Sequence, residues 1–249
     1  MPKSKKQAVK KACNPKDAIG VKKVPMSCLS SQAVVLLAES MSAEKVRPVD
    51  AIDVYADEQF NAAVAHLMMF WEGQDDTWRI PHLSRAMARI AAIRNAELED
   101  TLNDDRLNKD SKGIHVAALN VAAGIVIEKL PPSVAPFTHL KEGTLGFKVT
   151  VPITTKTPFH VLPLRVVFEM ALGMMEGGIK YGKHNYRSVG VRASVYYDAT
   201  MRHLADWYAG KPLDHESSLS HLSKALSSSQ VLLDSMVKGN WVDDRPLRI

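Results

Sequence analysis

The chain has 249 residues, of which 46% are apolar and 24% charged. This ordinary globular composition suits one large domain or two small ones with a substantial core, and it excludes general disorder. The net charge of +5 is concentrated at one end: residues 1–23 carry eight lysines against Asp17 and amount to +7, so all other residues together are −2, which speaks against a folded basic face for nucleic acid.

Residues 1–13 read as a basic, flexible, solvated tail. Their Lys-rich start has no apolar h-region, so a secretory signal is not expected. Cys13 and Cys28 cannot make a disulfide framework and fit a reducing compartment. The longest apolar stretch, near Val116–Ile127, is interrupted by Asn120 and is too short for a membrane span.

The sequence resembles itself at a nearly constant offset. His66-Leu67 with Phe70-Trp71-Glu72-Gly73 parallels His203-Leu204 with Trp207-Tyr208-Ala209-Gly210 at 137 residues. His82-Leu83-Ser84-Arg85-Ala86 parallels His221-Leu222-Ser223-Lys224-Ala225 at 139, as does Asp104-Asp105-Arg106 with Asp243-Asp244-Arg245. Upstream, Glu39 pairs with Glu176 at 137. The expected organisation is a tail at 1–13, a degenerate repeat at 14–106, a linker at 107–151, and a second repeat within 152–249.

Within the linker, the pattern predicts a helix near Ile114–Lys129, irregular chain at Pro131-Pro132 and Pro136, and a turn at Lys141–Gly146. A Val/Ile/Thr-rich strand over Phe147–Thr155 follows, so the linker is a short β-hairpin or irregular. In the second repeat, helical spacing predicts helices over Leu164–Gly178, Val195–Tyr208 and Ser217–Lys238. Asp214 or Ser217 is the expected N-cap of the last one, and Gly239 its end. The fold class is therefore mainly α: two tandem helical-bundle repeats forming a pseudo-dimer.

The repeats differ in charge. Lys180-Tyr181-Gly182-Lys183-His184-Asn185-Tyr186-Arg187 has no counterpart in the first, Asp198 aligns with Asn61, and Arg202 with Ala65. Loss of charge on a retained apolar frame suggests one working and one structural copy. Lys180, Lys183, Arg187, Arg192 and Arg202 could neutralise a polyphosphate, and Tyr181, His184, Asn185 and Tyr186 could address a nucleoside. Glu176, Asp198, Asp214 and Glu216 are the expected carboxylates for Mg²⁺, with Glu176 and Asp198 the catalytic pair. His203 and His221 are read either as nucleotide contacts or as structural hydrogen-bonding groups, since His66 and His82 persist in the first repeat. A P-loop, a GxGxxG, HExxH, CxxC and GxSxG are all absent from the sequence.

Six segments together resemble the phage-encoded dATP/dGTP diphosphohydrolase N-terminal domain family. They are Asn14–Gly20, Glu176–Arg187, Val191–Ala199, Arg202-His203-Leu204, Asp214-His215-Glu216-Ser217 with His221, and Asp243-Asp244-Arg245-Pro246. The resemblance is strong over about half of the chain and reaches the other half through the repeat. Ser218 stands where the family usually has Gly, and the EExxE…ExxD pattern of MazG-like enzymes is not visible. The resemblance implies cleavage of purine deoxynucleoside triphosphates to monophosphate and pyrophosphate, with Mg²⁺ as cofactor by analogy to all-α MazG-like pyrophosphohydrolases. It also implies the cytoplasm of an infected host cell, with a purine nucleotide as partner, no membrane and no specific nucleic acid; a homo-oligomer stays open. The alternatives are a non-catalytic phage protein that sequesters a signalling nucleotide and a structural phage protein.

Overall fold

The computed structural model describes residues 24–46, 53–74, 80–106 and 157–246. The tail, Asn14–Gly20, the linker helix, hairpin and strand predicted between 107 and 155, and Cys13 lie outside them.

The described residues are mainly helical. The first half opens with a 3-10 turn, Met26–Cys28, then helix α1 (Ser31–Ala43), strand β1 (Val54–Tyr55), α2 (Ala56–Trp71), α3 (His82–Leu98) and β2 (Leu102–Asn103). The second half runs in the same order: a 3-10 turn, Phe159–Val161, then α4 (Leu164–Tyr181), the short α5 (Asn185–Val189), β3 (Val191–Arg192), α6 (Ala193–Tyr208), α7 (His221–Lys238) and β4 (Trp241–Val242). Each half is closed by a two-residue parallel ladder, Val54 against Leu102 and Val191 against Trp241, which patterning did not foresee because two residues show no alternation.

Helix boundaries follow local chemistry. Leu164–Tyr181 and Ala193–Tyr208 contain no proline, and apolar residues recur at helical spacing. The last helix starts later than expected. Its N-cap is Ser220, whose Oγ accepts from the Leu222 N–H, whereas Asp214 and Ser217 belong to the preceding loop. Gly239, at φ +69°, ends this helix as anticipated, taking the left-handed conformation that glycine adopts without steric cost.

The core is continuous across both halves. Leu37, Met41, Leu67, Leu83, Ile90 and Ile93 from the first, and Met170, Leu204, Trp207, Leu222, Leu232 and Trp241 from the second, are buried in one cluster. α7 is buried along most of its length. It crosses α4 where Gly173 leaves room: a Cβ there would meet Ser227 Oγ at 2.3 Å. Ser227 Oγ instead donates to Met170 O, 3.1 Å away, and Ser223 O, 2.8 Å away.

Some contacts between the halves come in reciprocal pairs. Phe60 stacks on Tyr208 at 4.1 Å, and Tyr197 on Trp71 at 4.6 Å. Arg106, held by Asp104 at 2.7 Å, donates to Trp207 O and lies over the Trp207 ring at 4.3 Å. Arg245, held by Asp243 at 2.7 Å, donates to Phe70 O and lies over the Phe70 ring at 4.7 Å. Each arginine thus reaches from the end of one half onto the other half's central helix. Both guanidiniums are nearly buried, so removing either forfeits charge-assisted hydrogen bonds worth about 1.5–3 kcal/mol. Arg106→Ala and Arg245→Ala should each lower the unfolding free energy by about that amount in urea titrations; losses under about 0.5 kcal/mol, typical of ordinary surface positions, would contradict this.

Candidate functional site

The loop between α6 and α7 is built around Asp214. Its N–H donates to Leu219 O, and its C=O accepts from Ser218 N, both at 2.8 Å. Its carboxylate Oδ2 accepts from Ser217 N at 3.1 Å and from Ser217 Oγ at 2.6 Å. Asp214 is buried, and burial raises its carboxyl pKa, but the Ser217 hydrogen bonds and Lys224 outweigh this and hold it down to about 2. The tight turn places Ser218 at φ +57°. That is the position where the resembled family usually has Gly, and the left-handed backbone gives the physical reason.

Asp214 stands at one end of an ionic network. Lys224 Nζ, from the first turn of α7, lies 3.3 Å from Asp214 Oδ2 and 2.7 Å from Glu176 Oε2 near the end of α4. Lys180, one turn further along α4, lies 2.8 Å from Glu176 Oε1 and 3.2 Å from Glu216 Oε2. Burial acts to raise the Glu176 carboxyl pKa, and the hydrogen bonds from Lys180 and Lys224 overcome it, leaving it below the ordinary carboxylate value. The same contacts with Glu176 and Glu216 raise the Lys180 ammonium, so it stays charged.

The histidines complete this region. His203 on α6 and His221 at the start of α7 approach through their Nδ1 atoms at 2.9 Å. One nitrogen of each and one oxygen of Asp214 lie within 4.8 Å of one another. Burial, helped by His221 and Lys224, pushes His203 down to about 4, with Asp214 opposing and Arg202 adding to the shift. Burial also lowers His221, against Asp206 and Asp214. Both rings are therefore neutral near pH 7.

Three of the four expected metal carboxylates, Glu176, Asp214 and Glu216, thus gather with Lys180, His203 and His221. Arg202 lies close to His203, and the other predicted residues stand elsewhere. Asp198 is exposed, and its carboxyl is raised by burial and Asp244 despite Arg202. It lies toward the end of β4 and, among the described contacts, makes none with the Glu176 network. Asp244 also bonds Ser194 N and Oγ and lies 3.5 Å from Arg192.

Arg187 is committed to the fully buried Asp234, with Nε 2.6 Å from Oδ2, and Asp234 also accepts from Ser30 Oγ. Tyr186 is buried beside them, and Asn240 Nδ2 donates to the backbone carbonyls of Tyr186 and Arg187. Asn185 opens α5. Lys183 Nζ and His184 Nε2 reach Ser27 Oγ and Ser27 O at 2.7 and 3.0 Å. Tyr181 is exposed. The cationic segment therefore divides: Lys180 joins the carboxylates, while Lys183 through Arg187 tie α5 to the first half's opening turn and to α7.

Sequence reasoning gave Lys224 and Ser217 no role in the site and did not single out Asp234. A signal existed for Lys224, since Arg85 occupies the matching place in the repeat. The structure also corrects the pairing of Glu39 with Glu176. The carboxylate facing Arg85 is Glu44, at 3.4 Å, and it lies 2.5 Å from Arg89 and 3.7 Å from His66 Nε2. Glu39 sits more than a turn earlier on α1. His66 and His82 make the same 2.9 Å Nδ1–Nδ1 approach as His203 and His221.

Residues 152–245 match the family described as dATP/dGTP diphosphohydrolase, N-terminal, a match that spans the second half and less than half of the chain. No curated protein and no solved structure matches. Among the described residues, no helix is long and apolar enough to cross a membrane.

Two stability measurements check the site's physics. His66, His203 and His221 all have lowered pKa values, so the unfolded chain binds more protons than the folded one as pH falls below about 6.5. Stability should therefore decline from pH 7 toward pH 4, by at most about 1.4 kcal/mol per pH unit for each histidine. The decline should be shallower in His203→Gln, and equal slopes in the two proteins would contradict the assignment. Ser218→Gly should raise stability by about 0.5–1 kcal/mol by relieving the left-handed backbone; a loss would show that the serine side chain stabilises the loop.

Proposed function

We propose that the chain, whose residues 152–245 carry a dATP/dGTP diphosphohydrolase N-terminal domain, hydrolyses purine deoxynucleoside triphosphates to monophosphate and pyrophosphate at the site around Glu176, Asp214 and Glu216. The family match supports a nucleotide diphosphohydrolase role for this segment. The observation that carries the finer reading is the gathering of three carboxylates, one on α4 and two on the α6–α7 loop, around two lysines, one on α4 and one on α7. Like-charged carboxylates gather when cations hold them, and a nucleotide brings both a polyphosphate and its counter-ion to such a place.

We also propose Mg²⁺ as the cofactor. The donors fit it: Glu176, Asp214 and Glu216 offer oxygen only, and Mg²⁺ uses one or two carboxylates together with substrate phosphates. Bound there, the ion would polarise a phosphoryl oxygen and lower the pKa of a bound water. Lys180, exposed and permanently charged, can turn from Glu216 toward a β- or γ-phosphate and stabilise charge on the departing pyrophosphate. Lys224 is more buried and keeps Glu176 and Asp214 ionised. Ser217 fixes the Asp214 carboxylate, so its orientation is set before substrate arrives. Arg202, close to His203, extends the positive surroundings.

The two halves are proposed to be tandem copies, so that the first half provides the packing face a second subunit would otherwise supply. The matching order of elements and the reciprocal Phe60–Tyr208 and Tyr197–Trp71 stacks support this. In the first half, Arg85 and Arg89 neutralise Glu44, and this favours a structural role. A phage protein acting in the infected cell's cytoplasm remains our reading of its setting.

Chromatography after incubation with each of the four dNTPs and Mg²⁺ tests the activity. dGTP and dATP should yield monophosphate and pyrophosphate. Glu176→Gln should lower the rate at least about 100-fold with a folded protein by circular dichroism, whereas Asp198→Asn should fall less than tenfold. Full activity in Glu176→Gln would remove the proposed site. Tight binding without hydrolysis in the wild type would favour a sequestering protein.

A further inference from the structure

We infer that His203, Asp214 and His221 form a binding site for one borderline divalent transition-metal ion, of the Zn²⁺ class, different in chemistry from the hard cation that accompanies a nucleotide. The donor set is two imidazoles and a carboxylate, and imidazole suits Zn²⁺ and its neighbours in the first row rather than Mg²⁺. Three protein ligands with the remaining position open is the usual plan of a catalytic zinc site.

The arrangement is close to what loading requires. Two nitrogens about 2.05 Å from a tetrahedral ion stand about 3.3 Å apart, and the two Nδ1 atoms are already 2.9 Å apart. In the empty pair one Nδ1 carries a proton and the other accepts it. Moving that proton to Nε2 of the same ring frees both Nδ1 lone pairs with no proton gained or lost, and the rings then swing apart by a few tenths of an ångström to converge on the ion.

Asp214 lies close enough to supply the third bond and keeps one oxygen for it. Oδ2 is taken by Ser217 N, Ser217 Oγ and Lys224, whereas among the described residues the contact of Oδ1 is the exposed His215 ring at 4.0 Å. Hydrogen-bonded support of this kind is how metal-ligating carboxylates are fixed. Lys224 is the competing positive charge, and Glu176 draws it off at 2.7 Å.

The first half provides an internal comparison. His66 and His82 meet at the same 2.9 Å, but the described carboxylate beside them, Glu44, is bound by the guanidiniums of both Arg85 and Arg89. Two fixed cations oppose a metal ion there, so the second half alone is expected to load. A metal ion in this place would stand beside Lys224, which Glu176 holds at 2.7 Å, and only a further role for it in hydrolysis rests on the proposed function. Binding itself is measured without nucleotide.

The intact chain, stripped with EDTA and dialysed, is titrated with ZnCl₂ by calorimetry and with CoCl₂ by visible absorption. We expect one equivalent per chain, ligand-field bands of low-coordinate Co²⁺, and a rise in melting temperature with Zn²⁺. Millimolar Mg²⁺ should not displace the ion. His203→Gln, His221→Gln and Asp214→Asn should each weaken binding at least about 100-fold, and His66→Gln should leave it within twofold. If one of the site variants fails to fold by circular dichroism, the other two and the wild-type melting shift still decide. No binding by wild type, two equivalents, or equal weakening by His66→Gln would overturn the inference. Metal binding without dNTP hydrolysis would sink the proposed activity and leave this site standing; hydrolysis with Mg²⁺ in a protein that binds no Zn²⁺ would do the reverse.

Discussion

The packing of the two halves against each other, α2 on α6 and α3 on α7, is the constraint on which the rest of the structure depends. Each half ends in an Asp–x–Arg segment whose arginine is chelated by its own aspartate and then carried across to a backbone carbonyl and an aromatic ring on the opposite half. A free arginine loses several rotatable bonds on docking, whereas a guanidinium already fixed by a carboxylate loses less. With Phe60, Trp71, Tyr197 and Tyr208 stacked between the helices, neither half retains a closed core without the other. α7 consequently has apolar neighbours along most of its length and can tolerate polar residues only where they are partnered, as at Asp234 with Arg187 and Ser30.

This frame also sets the site. α6 and α7 are adjacent in chain order and packed together, so His203 and His221 meet, and the intervening loop must fold tightly enough to bring Asp214 beneath them. α4 then delivers Glu176 and Lys180 from the other side. The site is a strip of alternating charges in which each carboxylate has an ammonium partner. Under the proposed function, such a strip would exchange those partners for phosphate and metal when substrate arrives. The first half keeps the frame but replaces the lysine by two arginines bidding for one glutamate, an arrangement with little left to exchange.

The helices were legible because their burial is one-sided and their spacing regular: α4, α6 and α7 were placed to within about four residues at each end. The matching order of elements in the two halves follows the sequence diagonal, on which the histidines, glycines and DDR ends recur. The N-cap of α7 was misplaced because Asp214 and Ser217 have the chemistry of caps but use it on their own loop, which only the backbone path reveals. Glu39 falls on the 137-residue diagonal, but α1 and α4 begin at Ser31 and Leu164, 133 residues apart, so that offset does not hold at this helix. Arg187 looked like a phosphate ligand because its partner, Asp234, lies 47 residues away inside an apolar helix. Asp198 and Glu176 share a charge but not a place, and nothing in their sequence spacing distinguishes the two cases.

The central claim is a single nucleotide site per chain, in the second half, on a scaffold to which the first half contributes packing. Calorimetric titration of the intact chain with a non-hydrolysable α,β-methylene analogue of dGTP in the presence of Mg²⁺ tests it most directly. The account predicts one equivalent bound per chain, abolished by Glu176→Gln together with Lys180→Ala and unaffected by Glu44→Gln. Two equivalents, or binding that survives in the Glu176/Lys180 variant and is lost in Glu44→Gln, would contradict it.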